Sequence, residues 1–394
     1  MTTTWWHIAD LGWLFQSAHL PVVELDSSRV VGKNEAIFPL DSANGLLDDS
    51  RRLDFRPWTL ADALVRASTT EQPGVFHRVE LGLGAWLRFR GLLSLYADAK
   101  LGIDDERFDM LRDSMRTASS GELGQAVCWL AGLQLLKCRQ LIDFGQACEI
   151  LGRPVPGSSD ERPDYLGLVG GSPRKTLLLE SKGHIRTDDR RNNVKDDLRG
   201  ALNQCWAGVQ RLRPISTDAT HAVVAALYSP GSGGEESLVY ICDPEDGDGR
   251  PLSPEEIGLL MRAHYAAWAT AAGAVGLSRL LLSGDQARDP GTGFTLELEG
   301  RQWFFPAADA EASPMTNWQR LPPDLYPLPS LEGLVRGIDL NLLRAVLAHP
   351  ARAAEFDDYP KPQEARPAPS VADFMPDGTV IVSADLLADA TRVS

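Results

Sequence analysis

The sequence predicts an α/β chain. It should have a mixed central sheet flanked by helices, with a mostly helical region before it and an α+β region after it. Three observations carry this. Residues 162–169 and 175–183 are short apolar runs of strand-forming residues separated by Gly170-Gly171-Ser172-Pro173, which reads as a hairpin. Helical spacing of apolar residues brackets that hairpin, in residues 120–138 before it and in Leu198, Ala201, Leu202, Cys205, Val209 and Leu212 after it. Two more strand-like runs, 219–228 and 237–242, follow. The 394 residues, 43% hydrophobic and 24% charged, suffice for two or three domains of ordinary globular composition. The expected division is 1–118 as a helical accessory domain, 119–245 as the core, and 246–394 as an α+β accessory region with a proline-rich linker.

In chain order, residues 20–25 and 36–40 are short strand candidates, and Trp5, Trp6 and Trp13 are expected in a core. Thr59 should cap a helix, with Asp62 three residues on. Residues 80–97 are apolar almost all round and predict a buried helix, and 104–118 a further one. Ser119 and Ser120 should cap the next helix, with Glu122 in its first turn, where the helix dipole favours a carboxylate. Beyond the hairpin, residues 183–191 read as a polar loop carrying His184. Asp243 to Gly249 is an acidic turn, and Ser253-Pro254-Glu255-Glu256 is a capping box with proline in the first turn. That helix should carry Ile257, Leu260, Met261, His264 and Trp268. Residues 277–282 predict a strand, 294–298 with 303–305 a hairpin, 331–347 a helix, 359–369 a proline-rich segment, and 378–382 a last strand.

The chemistry concentrates on the hairpin. Side chains alternate along a strand, so Glu180 and Lys182 share a face with Leu178, while Leu177 and Leu179 face the other way. A strand apolar on both faces belongs inside a sheet, and charges there are costly unless paired or metal-bound. Asp164 opens one strand and Glu180 closes its neighbour, so the two carboxylates can meet at one edge. Such oxygen ligands suit Mg²⁺ or Mn²⁺, and Lys182 adds a point charge able to hold a phosphate oxygen or a water. Carboxylates, metal and lysine are the groups phosphodiester hydrolysis needs.

Pro163-Asp164 followed by Glu180-Ser181-Lys182 resembles the motif of the PD-(D/E)XK nuclease superfamily. The resemblance covers the middle third of the chain. It implies the restriction-endonuclease-like fold, an α/β arrangement with a mixed central sheet flanked by helices, and within it a helix bearing a glutamate, a hairpin, a second helix and a further strand. By that resemblance Asp164, Glu180 and Lys182 are catalytic, and Glu122, Asp164, Glu180 and the Ser181 carbonyl bind the metal. Gln204, on the second helix, would face the nucleic acid; some relatives carry tyrosine four positions later, where this chain has Gly208. The implied activity is Mg²⁺-dependent cleavage of DNA, in a setting such as restriction or defence, with the flanking regions available for a protein partner.

Charge cuts the other way. The formal net charge of −15 opposes non-specific nucleic-acid binding. From Lys182 to Arg213, however, eight Lys and Arg stand against four acids, a local excess of +4 that includes Arg190 and Arg191. The alternative reading is therefore a nuclease-like scaffold that binds a protein or nucleic acid without cutting. Five cysteines with no CxxC pair argue against a disulfide framework or a zinc site, and Cys128, Cys138 and Cys148 fall in apolar, helix-like sequence. No apolar run approaches the ~20 residues of a membrane helix, and the first residues lack a basic, then apolar, leader pattern, so the expected location is the cytoplasm and no membrane partner is expected.

Overall fold

The computed structural model describes residues 17–26, 52–67, 92–95, 99–157, 160–171, 174–185, 190–228, 237–243, 249–287, 289–307, 334–349, 372–383, 386–387 and 390–393. The described residues up to Pro251 form one compact unit, and those from Leu252 on form a second. Trp5, Trp6, Trp13, the strand expected at 36–40, most of the apolar stretch 80–97 and the proline-rich segment lie outside the described residues.

The first unit is α/β. Its elements are β1 (Ala18–Asp26), β2 (Arg52–Phe55), α1 (Pro57–Ala67), β3 (Leu93–Leu95), β4 (Leu101–Ile103), α2 (Asp105–Asp109), α3 (Asp113–Gln134), β5 (Cys138–Asp143), α4 (Phe144–Ile150), β6 (Tyr165–Val169), β7 (Lys175–Ile185), α5 (Arg190–Leu212), β8 (Ala219–Leu227) and β9 (Leu238–Asp243). Seven strands make one mixed sheet in the order β2-β1-β9-β8-β7-β6-β5. β5, β6 and β7 are an antiparallel meander, β7 and β8 are parallel, and β8 and β9 are antiparallel. β1 then joins β9 in parallel. The parallel β7–β8 step needs a crossover, and α5 supplies it.

The two faces of β7 are covered by different helices. Leu179 and Gly183 face α3: a Cβ added at Gly132 would touch the Leu179 side chain, and one at Gly124 would meet the Gly183 backbone. The opposite face of the sheet packs Ala222, Val224 and Ala226 against Val194, Leu198 and Ala201 of α5. β7 is buried from Thr176 to Ser181, as an apolar-on-both-sides strand should be.

Several expectations need correction. The boundary drawn at 118/119 falls inside α3, which runs unbroken from Asp113 to Gln134. Ser119 and Ser120 do not cap it; the Ser120 hydroxyl donates to the Arg116 carbonyl one turn back, the usual outcome for a serine inside a helix. Glu122 is consequently mid-helix, beyond the first turn where the dipole acts. The stretch before residue 118 is not a separate helical domain, because β1 and β2 extend the central sheet. Leu93–Leu95 is a strand where a helix was expected. Cys138 opens β5: α3 ends at Gln134, and Lys137, at a left-handed φ of 58°, precedes the strand. α1 begins at Pro57, whose missing N–H is one the first turn leaves unbonded, so Thr59 lies within the helix and is buried. The 183–191 loop is also shorter than expected, because β7 continues to Ile185 and α5 starts at Arg190.

The second unit contains α6 (Pro254–Ala271), α7 (Val275–Ser283), β10 (Gly293–Leu298), β11 (Arg301–Pro306), β12 (Leu334–Asp339), α8 (Leu340–Ala348), β13 (Ala372–Phe374), β14 (Thr379–Ser383) and β15 (Thr391–Val393). Its six strands run antiparallel in the order β13-β14-β12-β11-β10-β15. The capping box forms as the sequence predicts: Ser253 Oγ accepts from the Glu256 N–H (3.2 Å) and Glu256 Oε2 accepts from the Ser253 N–H (2.7 Å). The β10–β11 turn places Glu299 and Gly300 at φ of 50° and 72°, the left-handed pair a two-residue hairpin requires. Two expectations fail. Residues 277–282 belong to α7, because four leucines and an arginine in six residues favour helix over strand. Residues 334–339 form a strand, and α8 begins only after Asp339, whose carboxylate accepts the N–H groups of Asn341 and Leu342.

Candidate active site

Asp164 stands one residue before β6. Its backbone carbonyl accepts from the Phe144 N–H (2.9 Å), tying the strand's start to α4. Tyr165 pairs with Leu179, so the next position outward brings Asp164 alongside Glu180. The hairpin expected from the sequence therefore does bring the two acidic positions to one strand end.

The Asp164 carboxylate turns toward the α3 side. Oδ2 accepts from both the backbone N–H (3.0 Å) and the hydroxyl of Ser181, and Oδ1 accepts from Gln125 Nε2 of α3 (3.2 Å). Glu180 lies on the α5 side. Its Oε1 accepts from Lys182 Nζ, and the same ammonium donates to Gln204 Oε1 of α5. Gln204 in turn donates through Nε2 to the Arg162 carbonyl (3.1 Å), so one amide links the lysine to the segment leading into β6. Gly208 explains how α5 comes so near: a Cβ there would sit 2.7 Å from Pro163 Cδ and 3.0 Å from Leu178 Cδ1. A tyrosine at that position would collide with the proline of the motif.

Glu180 is the electrostatic anomaly. Its side chain is 3% exposed, and its Oε2 is buried with no hydrogen-bond partner. Burial first, and then the negative charge of Asp164, push its carboxyl well above the ordinary carboxylate value; Lys182, by charge and hydrogen bond, and the Asp164 backbone N–H oppose both. The field of the two acids extends outward. Cys128, Cys205 and Tyr165 are all held protonated by burial, with Asp164 and Glu180 adding to the effect. Neither thiol is therefore suited to act as a nucleophile.

Glu122 does not complete a three-carboxylate site. Among the described residues no group of three or more His, Cys, Asp or Glu side chains is placed to share a metal ion. The α3 residue that reaches the site is Gln125, one turn further on, which the sequence offered no charge to flag. The backbone of Arg190 and Arg191 opens α5 on the chain segment following β7. His184 proves to be a β7 residue with a partner: its Nδ1 lies 3.1 Å from Asp197 Oδ2 of α5. It shares the Glu180 and Lys182 strand face, and Asp197 precedes Gln204 by two helical turns. The basic excess after Lys182 is partly spent on local pairs, Arg199 with Asp196 (2.8 Å) and Arg211 with Asp160 (3.1 Å).

The donor set can be tested against a divalent cation. A carboxylate offers about four lone-pair positions. Asp164 spends both of Oδ2's on Ser181 and one of Oδ1's on Gln125, while Glu180 Oε2 spends none. In a strand, a residue's N–H and C=O point to the same side, so the Ser181 carbonyl faces the Asp164 side as well. By donor type, Asp164 Oδ1, Glu180 Oε2 and that carbonyl match the oxygen ligands of a hard cation, which takes one or two carboxylates and keeps its remaining places for water and phosphate.

No protein-family profile, curated protein or solved structure matches the chain. Among the described residues no helix is long and apolar enough to cross a membrane.

Proposed function

We propose that the chain is a metal-dependent nuclease of the PD-(D/E)XK type that hydrolyses phosphodiester bonds, with DNA as the expected substrate. The observation that carries this reading is the buried, unpartnered Glu180 Oε2 beside Asp164 and Lys182 at adjoining ends of β6 and β7. A buried carboxylate oxygen left without a donor costs stability unless a cation or proton occupies it. The order α3, β5, α4, β6–β7 hairpin, α5, β8 supports the reading too, because it contains, in sequence, the helix, hairpin, helix and strand the motif resemblance implies.

In this reading Asp164, Glu180 and the Ser181 carbonyl would hold Mg²⁺ or Mn²⁺. When bound, the ion would neutralise phosphate charge and lower the pKa of a coordinated water. Ser181 and Gln125 hold the Asp164 carboxylate in one orientation before substrate arrives. Lys182, 29% exposed at its side chain, is the group placed to leave Glu180 and contact a phosphate oxygen or orient the attacking water. Gln204 limits where its ammonium can rest.

The deciding experiment incubates the purified chain with single- and double-stranded DNA and RNA, with Mg²⁺, Mn²⁺ or EDTA. Cleavage that needs metal and disappears in Lys182→Ala is the expected result. The second reading, a non-cutting scaffold, is favoured by one observation: Lys182 already has two acceptors within the protein. Metal-independent nucleic-acid or protein binding without cleavage would select it.

A further inference from the structure

We infer that the outer face of α5 is a stacking platform for single-stranded nucleic acid, and that Trp206 is the residue that takes an unpaired base. The inference rests on the nuclease reading above and narrows its substrate to a strand that is unpaired beside the site.

Large aromatic side chains are usually well buried, as Trp129, Trp268 and Trp303 are. Trp206 is instead 61% exposed, in the middle of a regular helix. An indole left in water forgoes the stabilisation its burial would bring, and it has a flat face to offer a partner.

The helix turns by about 100° per residue. Its buried side is the row Val194, Leu198, Ala201, Cys205, Val209 and Leu212. Gln204, which accepts from Lys182, lies on one flank of that row. Trp206 lies about 160° round from Gln204, on the other flank. The outer surface between them carries Gly200, Asn203 and Ala207. A Cβ at Gly200 would meet nothing within 4 Å, so this surface is open. A strand leaving Lys182 can cross α5 to reach Trp206 over about one helix diameter, roughly 10–12 Å.

The composition of this face fits a single strand. Between Asp197 and Asp218 the chain carries Arg199, Arg211 and Arg213 and no acid. Arg199 and Arg211 are tied to Asp196 and Asp160, while Arg213, just past the end of α5, is exposed. An aromatic face for a base, with cations along the same helix for phosphates, is the combination that binds single strands. A duplex keeps its bases stacked on one another, so it offers no base face to Trp206 unless a nucleotide is flipped out. A protein partner would need a contiguous apolar patch, but Asn203 and Gln210, exposed one turn to either side of Trp206, are polar.

The test measures binding by fluorescence anisotropy in EDTA, so that no strand is cut. The probes are a labelled single-stranded DNA and the same sequence as a duplex, with wild type, Trp206→Phe and Trp206→Ala. Wild type should bind the single strand about tenfold or more tightly than the duplex, and Trp206→Ala should lose roughly tenfold of the single-strand affinity, the worth of one stacked base. Trp206→Phe should keep most of it. The salt dependence of Trp206→Ala should match wild type, because no phosphate contact is lost. With Mg²⁺, Trp206→Ala should cut the single strand with a raised KM and a nearly unchanged kcat, since Trp206 stands away from the reacting atoms. Unchanged single-strand affinity in Trp206→Ala, or a duplex bound as tightly as the single strand, would overturn this inference. Metal-dependent cleavage by the same protein would then leave the nuclease reading standing. A dimer seen by light scattering and lost in Trp206→Ala, with nucleic-acid affinity unchanged, would give Trp206 to a second copy of the chain and overturn it too. Trp206-dependent binding without metal-dependent cleavage would uphold the platform and remove the nuclease reading. Neither binding nor cleavage of either DNA would overturn both.

Discussion

Gly121 and Gly124 are one turn apart on α3, and replacing each by alanine should move stability in opposite directions. In a helix interior, glycine costs about 0.5–1 kcal/mol relative to alanine, mostly in backbone entropy. A Cβ at Gly121 meets nothing within 4 Å, so Gly121→Ala should stabilise the chain by about that amount. A Cβ at Gly124 would lie 2.5 Å from the Gly183 nitrogen, 2.7 Å from the Lys182 carbonyl carbon and 2.8 Å from the Gly183 Cα. All three are backbone atoms of β7, which cannot swing aside as a side chain can. Ordinary contact begins at 3.4 Å, so α3 must retreat by roughly 0.9 Å. Overpacking of this kind costs about 1–3 kcal/mol. The helix-propensity gain is common to both variants, so the difference between them isolates that cost. Urea denaturation followed by circular dichroism, extrapolated to zero urea, measures both. Gly124→Ala should be about 1–3 kcal/mol less stable than Gly121→Ala, and its weakened Gln125–Asp164 contact should also lower Mn²⁺ affinity. Equal stability of the two variants would refute the close approach of α3 to β7.

Glu180 makes stability pH-dependent in a definite sense. Its folded-state pKa is raised, so the native chain binds the extra proton, and this contribution is present below about pH 4.5 and lost as pH rises through the folded value. Melts of wild type and Glu180→Gln across pH 4–8 without metal should therefore diverge as pH rises, with the variant losing less. Replacing Arg190 and Arg191 together by Ala should weaken nucleic-acid binding and flatten its salt dependence, measured by fluorescence anisotropy at several salt concentrations. In the second unit, Ser253→Ala removes the bond to the Glu256 N–H and should cost about 0.5–2 kcal/mol, read by denaturant titration.

Much of the site was legible because it is carried by local rules. The turn residues at 170–173 and the strand-forming runs on either side specify the β6–β7 hairpin, and alternation then puts Glu180 and Lys182 on one face. The Ser253 capping box and the Glu299-Gly300 turn were readable for the same reason: each is a short pattern whose hydrogen bonds or dihedrals close within a few residues. Where a local signal had a competitor, it misled. Ser119-Ser120 looks like a cap, but the buried face formed by Leu123, Val127 and Leu130 continues a helix already begun at Asp113, and packing outweighs one cap.

What the sequence determined by itself is the pair of strands, the spacing of Asp164, Glu180 and Lys182 along them, and the helices that bracket them. Those follow from periodicity and turn chemistry, which act over a few residues. Tertiary structure alone decided that Gln125 and not Glu122 meets Asp164, that Gly208 gives way to Pro163, and that β1 and β2 extend the sheet. These contacts join residues 31 or more positions apart, from Pro21 with Arg52 to Gln125 with Asp164 and beyond, and no local period encodes them. Which turn of α3 faces Asp164 is set by how closely two backbones can approach at Gly124 and Gly183, a steric property that exists only once the helix lies on the sheet.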